Sequence, residues 1–386
     1  MNESDRTRRL DPGAEHYIGL MSGTSIDAVD GVLVSFDAAG NLLRTLANAS
    51  VAIPDDLRKL LAALQSPGPD ELATAALAGN RLADLYAVCV RSLLLQAGVP
   101  SSVVTALAAH GQTVRHDPQQ GYTMQLINAA RLAEATAIDT VSDLRSADVA
   151  AGGEGAPLVP AFHARAFGAE AVRRGILNIG GIANITILEP ADGSDGAPAV
   201  RGYDTGPGNT LMDSWCEQHR GERFDRDGRW AATGRVDNLL LQRMRDEPYF
   251  SRPPPKSTGR DLFNSAWLQR QDLSGVSPAD VQATLLELSS TTIAEACRRQ
   301  RVAELFVCGG GAANLQLMDR LQAALADIPV KTTWDLGMDP QAVEATAFAW
   351  LARQRVKRQP ANLPAVTGAS GFRVLGALHP SSSGEG

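Results

Sequence analysis

The sequence predicts an α/β protein built from two domains of related design. Three observations lead there. The chain has 386 residues, more than one hydrophobic core usually serves. Apolar runs of strand length alternate with longer amphipathic stretches, the pattern of strands and helices in turn. One unit, an apolar run, a glycine turn and a second apolar run, occurs near residue 17 and again near residue 176. With hydrophobic residues at 44% and charged ones at 20%, the composition excludes a disordered or fibrous chain. No apolar run approaches the roughly 18 residues of a membrane span, and the polar first sixteen residues contain no signal-peptide core. A formal net charge of −7 argues against a nucleic-acid partner held by a basic face. The four cysteines, Cys89, Cys216, Cys297 and Cys308, form no C-x-x-C pair and no zinc-like cluster with histidine, as for isolated thiols in a reducing cytosol.

Each element has its own justification. Tyr17–Met21 and Ile26–Phe36 are apolar runs around Ser22-Gly23-Thr24-Ser25, a strand–turn–strand unit. An extended stretch at Asn48–Ile53 stops at Pro54. A helical pattern runs from Asp70 to Gln96, with Gly98 as its stop. Val103–Ala109 is a short buried strand that leads into His110-Gly111-Gln112-Thr113. Asn128 suits the N-cap of a helix over Ala129–Ala137, and Thr140-Val141 begins another strand. Ile176–Leu188 repeats the opening unit around Gly180-Gly181. Residues 193–198 read as a surface loop. Asp204–Asn209 separates an extended segment from an amphipathic helix starting near Thr210. Arg252-Pro253-Pro254-Pro255-Lys256 can be neither helix nor central strand. Ser277-Pro278 opens a strong helix to about Gln300. Leu305–Cys308 is a buried strand, Gly309-Gly310-Gly311 a tight turn, and Asn314 the cap of the next helix. Asp339-Pro340 opens the last long helix, and a polar tail from Pro380 is expected to be disordered.

Four segments combine glycine with hydroxyl, amide or carboxylate groups: Ser22–Asp27, Asn178–Asn184, Asp204–Asn209 and Gly309–Asn314. Glycine lets backbone N–H groups converge on an anion, and nucleotide phosphates are the usual anion. Any one of them is also compatible with ordinary turn chemistry. No G-x-x-x-x-G-K-S/T occurs, so this is not a P-loop protein. Gly309–Asn314 matches a dinucleotide fingerprint poorly and fits an adenosine clamp better. Carboxylates beside such turns are Asp27, Asp30, Asp143, Asp148, Asp204 and Glu344. Asp204, on a rigid turn at a strand end, is placed for a general base, although a plain turn aspartate fits as well. Asp27 and Asp30 suit a magnesium ion or substrate, or a plain turn. His110 and His116 flank Gly111–Arg115, a compact polar cluster suited to a hydroxylated or anionic ligand.

Seven segments resemble the bacterial anhydro-N-acetylmuramic acid kinases. They are Ile18–Asp27, Ala109–Thr113, Asp148–Pro160, Leu177–Gly181, Asp204–Asn209, Pro255–Arg260 and Val307–Gly311. The match runs in order from residue 17 to about 379. One departure is Ala28, where the family carries glycine; a positive φ there would be strained.

The resemblance implies two ribonuclease-H-like domains of the actin-like ATPase and sugar kinase fold, with ATP in an interdomain cleft that closes around both substrates. The expected domains are 1–140, joined by 365–386, and 141–364. By carry-over, Ser22, Gly23, Thr24, Ser25, Ile26, Asp27, Ala28 and Val29 form the first phosphate turn, with Asp27 toward Mg²⁺. Asn178, Gly180, Gly181 and Asn184 form the second, and Gly309, Gly310, Gly311 and Asn314 hold adenosine. His110, Gln112 and Thr113 contact the sugar, with Asp204 and Glu344 as catalytic carboxylates. The implied reaction opens 1,6-anhydro-N-acetylmuramic acid with water and phosphorylates O6 with ATP and Mg²⁺, in peptidoglycan recycling. A cytoplasmic homodimer acting on a small molecule, with neither nucleic acid nor membrane as partner, completes the expectation. The alternative is another sugar kinase or sugar-binding ATPase of the same fold. A DNA-binding regulator or a protein-binding chaperone would need a further module, and a glycosidase would not need several phosphate turns.

Overall fold

The computed structural model describes residues 11, 13–23, 26–169, 171–190 and 199–382. The chain packs as two compact units, Met1–Ala166 with Glu344–Gly386, and Phe167–Val343. Residues 141–166 and 344–364 pack with the first unit, so the units differ in extent from the expected domains.

The strands in chain order are β1 (Glu15–Ser22), β2 (Ala28–Phe36), β3 (Leu42–Ala52), β4 (Val104–Ala109), β5 (Gln112–Asp117), β6 (Tyr122–Leu126), β7 (Thr140–Ser142), β8 (Arg174–Ile179), β9 (Ile182–Leu188), β10 (Val200–Pro207), β11 (Glu304–Cys308), β12 (Val330–Thr332) and β13 (Ala377–His379). The sheet of the first unit runs β13-β7-β4-β1-β2-β3 and that of the second β10-β9-β8-β11-β12. In both, the first three strands form an antiparallel meander. Two later strands then add in parallel beside the first. The identical order and direction make the duplication visible in topology, and each sheet has the ribonuclease-H-like arrangement.

Local signals hold where chemistry is local. The helix Glu71–Ala97 ends on Gly98 at φ 67, a left-handed position that glycine adopts without a Cβ clash. Asn128 accepts from Arg131 N–H at 2.9 Å and Ser277 from Asp280 N–H at 3.2 Å, capping Ala129–Thr136 and Pro278–Arg299. These caps satisfy donors that the first helical turn leaves open. The last long helix begins at Val343 rather than Pro340, and the Pro340 carbonyl accepts from Gly309 N–H at 2.9 Å. The described start of the tail is tied down, since Ser381 N–H donates to Asp139 at 2.8 Å; residues 383–386 of the expected disordered tail lie outside the described residues. The expected loop at 193–198 lies outside the described residues.

Each unit has its own apolar core. Leu20, Val29, Leu82, Tyr86 and Leu107 belong to the first, and Leu177, Ile185, Phe263, Trp267 and Leu286 to the second. Gly19 in β1 sets how the helix Val343–Val356 seats on the first sheet. A Cβ there would collide with the Ala345 carbonyl and lie 2.5 Å from Ala349 N. Arg353, farther along that helix and 3% exposed, donates to Glu15 at 2.8 Å and to the Ala38 carbonyl at 2.7 Å.

Candidate active site

In the second unit Asp204 sits near the end of β10, in register with Asn184, which in turn pairs with Asn178. Register partners point to the same face, so these three side chains form one row across β8, β9 and β10. The ladder shifts between Asp204 and Gly206. Gly206 has φ 150, and a Cβ there would lie 2.7 Å from the Phe250 ring; such a bulge re-aims the strand end. Asp204 Oδ2 accepts from Ser257 Oγ and from Thr258 N–H, each at 3.0 Å. Its backbone is held as well, by Tyr249 O–H at 2.6 Å and the Lys256 carbonyl at 3.2 Å. Asp204 Oδ1 has no hydrogen-bond partner among the described residues. Burial pushes this carboxyl above its ordinary range, and the two donors oppose that. The result is a fixed carboxylate with one oxygen open, the form a general base needs.

The Gly180-Gly181 turn lies between β8 and β9. Its carbonyls accept from the N–H groups of Gly208, Asn209 and Thr210 at 2.9–3.0 Å, seating the start of the helix Thr210–Arg220 against the turn. The guanidinium of Arg260 comes within 3.8 Å of where a Gly181 Cβ would stand. Arg260 is exposed and has no ion-pair partner among the described residues, so it gives the turn a cation. Its sequence signal was its place at the end of Pro255–Arg260. The Gly309–Asn314 turn, expected to hold adenosine, divides among its residues. Gly309 and Gly311 are packed against Ile179 and Asn178, with no space for a Cβ, whereas Gly310 is open. Asn314 is occupied as a helix cap, accepting from Leu317 N–H at 3.1 Å. Of that quartet, Gly310 faces free space.

In the first unit, Thr24 and Ser25 lie outside the described residues. Ser22 is buried: its hydroxyl donates to the Gly111 carbonyl at 3.1 Å and accepts from Tyr86 O–H at 3.0 Å. It ties the turn to the His110 segment instead of offering a donor outward. Ala28 is an ordinary strand residue, and the left-handed position belongs to Ile26 at φ 56. A β-branched residue there is strained, while Ala28 costs the turn nothing. Val29 is wholly buried core. Gly23 accepts from Ile26 N–H at 3.1 Å. Asp27 is exposed, and its carboxylate makes no hydrogen bond among the described residues.

His110 departs most from its expected role. Its Nδ1 lies 2.8 Å from the Gly111 carbonyl, and its Nε2 lies 2.8 and 3.1 Å from two guanidinium nitrogens of Arg145. Both contacts are satisfied by a neutral ring that donates at Nδ1 and accepts at Nε2. Burial, then Arg145, pull its pKa down to about 3. His110 therefore spends both ring nitrogens on protein groups, one of them on Arg145. Arg145, which sequence reasoning missed, also donates to the Gly155 carbonyl at 2.7 Å. Burial pushes the Glu344 carboxyl above its ordinary range; the Arg145 charge opposes this and Asp30 adds to the rise. Asp148 is a structural carboxylate, fully buried, accepting from Gly155 N–H, Asn362 and Thr367 at 2.7–2.9 Å.

The segment after His110 is a hairpin, β5 and β6, which the sequence pattern did not reveal. Gln112, 1% exposed, has a buried Oε1 without a partner, an acceptor awaiting a donor. Gln125 spans Thr123 and Thr113, donating at 2.7 and 3.3 Å, and Thr123 bonds His116 at 2.9 Å. Among the described residues no three carboxylate, histidine or cysteine groups cluster as a metal site. A magnesium ion carried with a nucleotide needs only one or two carboxylates, and exposed Asp27 fits that need.

Comparison with known proteins adds a second line. A family model for anhydro-N-acetylmuramic acid kinase matches residues 15–381. The anhydro-N-acetylmuramic acid kinase of Ralstonia nicotianae is 53% identical over 376 residues, covering 95% of this chain and 98% of that protein. The protein of the same name from Paraburkholderia xenovorans is 52% identical, over 96% of this chain and 99% of its own length. Among solved structures, the activator of 2-hydroxyisocaproyl-CoA dehydratase from Clostridium difficile aligns at TM-score 0.44 and 12% identity, over 89% of this chain and 96% of that one. With matches of that identity and reach, the chain belongs to the anhydro-N-acetylmuramic acid kinase family.

Proposed function

We propose that this enzyme opens the 1,6-anhydro bridge of anhydro-N-acetylmuramic acid with water and transfers the γ-phosphoryl of ATP to O6. The products are N-acetylmuramic acid 6-phosphate and ADP, in peptidoglycan recycling. The observation that carries the reading is Asp204: one oxygen pinned by Ser257 and Thr258, the other open. Asp204 takes the proton of the water that attacks the anomeric carbon. That attack breaks the bond from the anomeric carbon to O6, and O6 becomes the nucleophile toward phosphorus. Glu344, kept toward its protonated form by burial and drawn toward ionisation by Arg145, helps orient the water. The Gly180-Gly181 turn with Arg260, the open Gly310 and the turn around Gly23 would hold the nucleotide. Gln112 offers its unpartnered oxygen to a sugar N–H or O–H. A magnesium ion bound with the nucleotide would supply charge neutralisation at the phosphates. A homodimer in the cytoplasm completes the proposal. The test is a coupled assay with Mg²⁺-ATP and a panel of anhydro-sugars. ADP release strictly dependent on the N-acetylmuramic anhydro-sugar is expected; release independent of sugar, or equal with all of them, overturns the reading.

A further inference from the structure

Tyr203 and Thr205 flank Asp204 in β10, so they point to the opposite face of this edge strand. There they line a cavity of about 30 Å³ with Phe250, Arg252, Lys256 and Arg299. Its floor is closed: Tyr203, Thr205 and Phe250 are 5%, 3% and 9% exposed. Its rim is cationic. Arg252 has no carboxylate partner among the described residues. Among the described residues Lys256 Nζ donates only to carbonyls, those of Tyr249 and Phe250 at 3.2 and 3.3 Å, and it stands 4.6 Å above the Tyr249 ring. Arg299 reaches Glu295 only at 4.0 Å, and Glu295 is already engaged by Arg245. Three cations thus converge where the single carboxylate is spoken for. Burial first, and then Arg299 and Arg252, pull the Lys256 ammonium below its ordinary range, with Glu295 opposing. An anion would relieve that repulsion and satisfy guanidinium donors that now face open space. The space holds one compact group, not a nucleotide.

We propose that this pocket binds a single phosphate group, free or as the phosphoryl of a monoester, and that occupancy acts on Asp204 through the segment 252–258. The mechanical link is short. The Lys256 carbonyl accepts the Asp204 N–H at 3.2 Å, and the next two residues hold the Asp204 carboxylate. An anion bridging Arg252 to Arg299 ties this segment to the helix Pro278–Arg299 and fixes the carboxylate. The link to turnover rests on Asp204 being the base; binding does not.

The experiment compares the full-length protein with Arg252→Gln/Arg299→Gln, neither residue being part of the machinery described above. Thermal unfolding is followed in inorganic phosphate, in glucose 6-phosphate, and in chloride at matched ionic strength. Phosphate should raise the midpoint of the unsubstituted protein beyond chloride. The double variant should lose that rise yet keep the rise given by ADP. A larger effect of glucose 6-phosphate identifies a monoester as occupant, and of inorganic phosphate, the free ion. An equal phosphate response in both proteins overturns the site. At saturating ATP and sugar, phosphate should raise kcat at least twofold in the unsubstituted protein only; no change in kcat overturns the coupling while leaving the base assignment to its own test.

Discussion

On the proposed mechanism Asp204 has to be ionised to act, in surroundings that disfavour charge. Because burial raises its pKa, the folded state holds the proton more tightly than the unfolded chain. The ionised carboxylate therefore costs stability above its folded pKa, and the cost disappears below the unfolded value. Asp204→Asn retains an acceptor for Ser257 and Thr258 while losing basicity. It should lower kcat by about 10²–10⁴-fold with nucleotide affinity kept and a neutral-pH melting temperature no lower than before. Near-normal turnover would remove Asp204 from the mechanism. Ser257 donates to the charged form, so Ser257→Ala should raise the carboxyl pKa further and move the acid limb of the kcat/KM profile to higher pH. An unmoved limb would mean that another group titrates there.

Between residues and fold, the site depends on elements packed without tolerance. The helix that carries Glu344 lies against the backbone of β1 because Gly19 has no Cβ. Gly19→Ala should cost about 3 kcal/mol, at the upper end of overpacking, read as a lower urea midpoint. Any folded fraction should show reduced kcat, since the helix start must shift. An unchanged midpoint would show that the helix can retreat freely. The same logic separates the glycines at 309–311. Two serve packing against Ile179, and one faces open space. A run of three identical residues could not show this, because the difference lies in what stands opposite each.

At the scale of the molecule, the first unit is closed by segments distant in sequence. β13 pairs with β7, and Asp148 gathers Gly155, Asn362 and Thr367. Removing that carboxylate leaves buried donors without an acceptor, each worth on the order of 1–3 kcal/mol. Asp148→Ala should therefore destabilise the protein by about 3 kcal/mol in thermal unfolding; an unchanged midpoint would mean that water replaces the carboxylate fully. The net charge of −7 repels both a nucleotide and an anionic sugar, so on the proposed function affinity rests on placed groups such as Arg260.

The sequence alone determined what local chemistry decides. Gly98, Asn128 and Ser277 announce helix ends because caps act within three or four residues. The repeated strand–glycine–strand unit announced the duplication because both meanders are local. The motif resemblance pointed to Asp204 as the proposed base and Glu344 as its proposed helper. Only the tertiary structure assigned Ser22 and His110 to internal bonding, moved the strained position from Ala28 to Ile26, and brought in Arg145 and Arg260. The reason is distance along the chain. The partner of Ser22 is 89 residues away and that of His110 is 35, and no composition or periodicity shows which donor a folded backbone will bring to which acceptor.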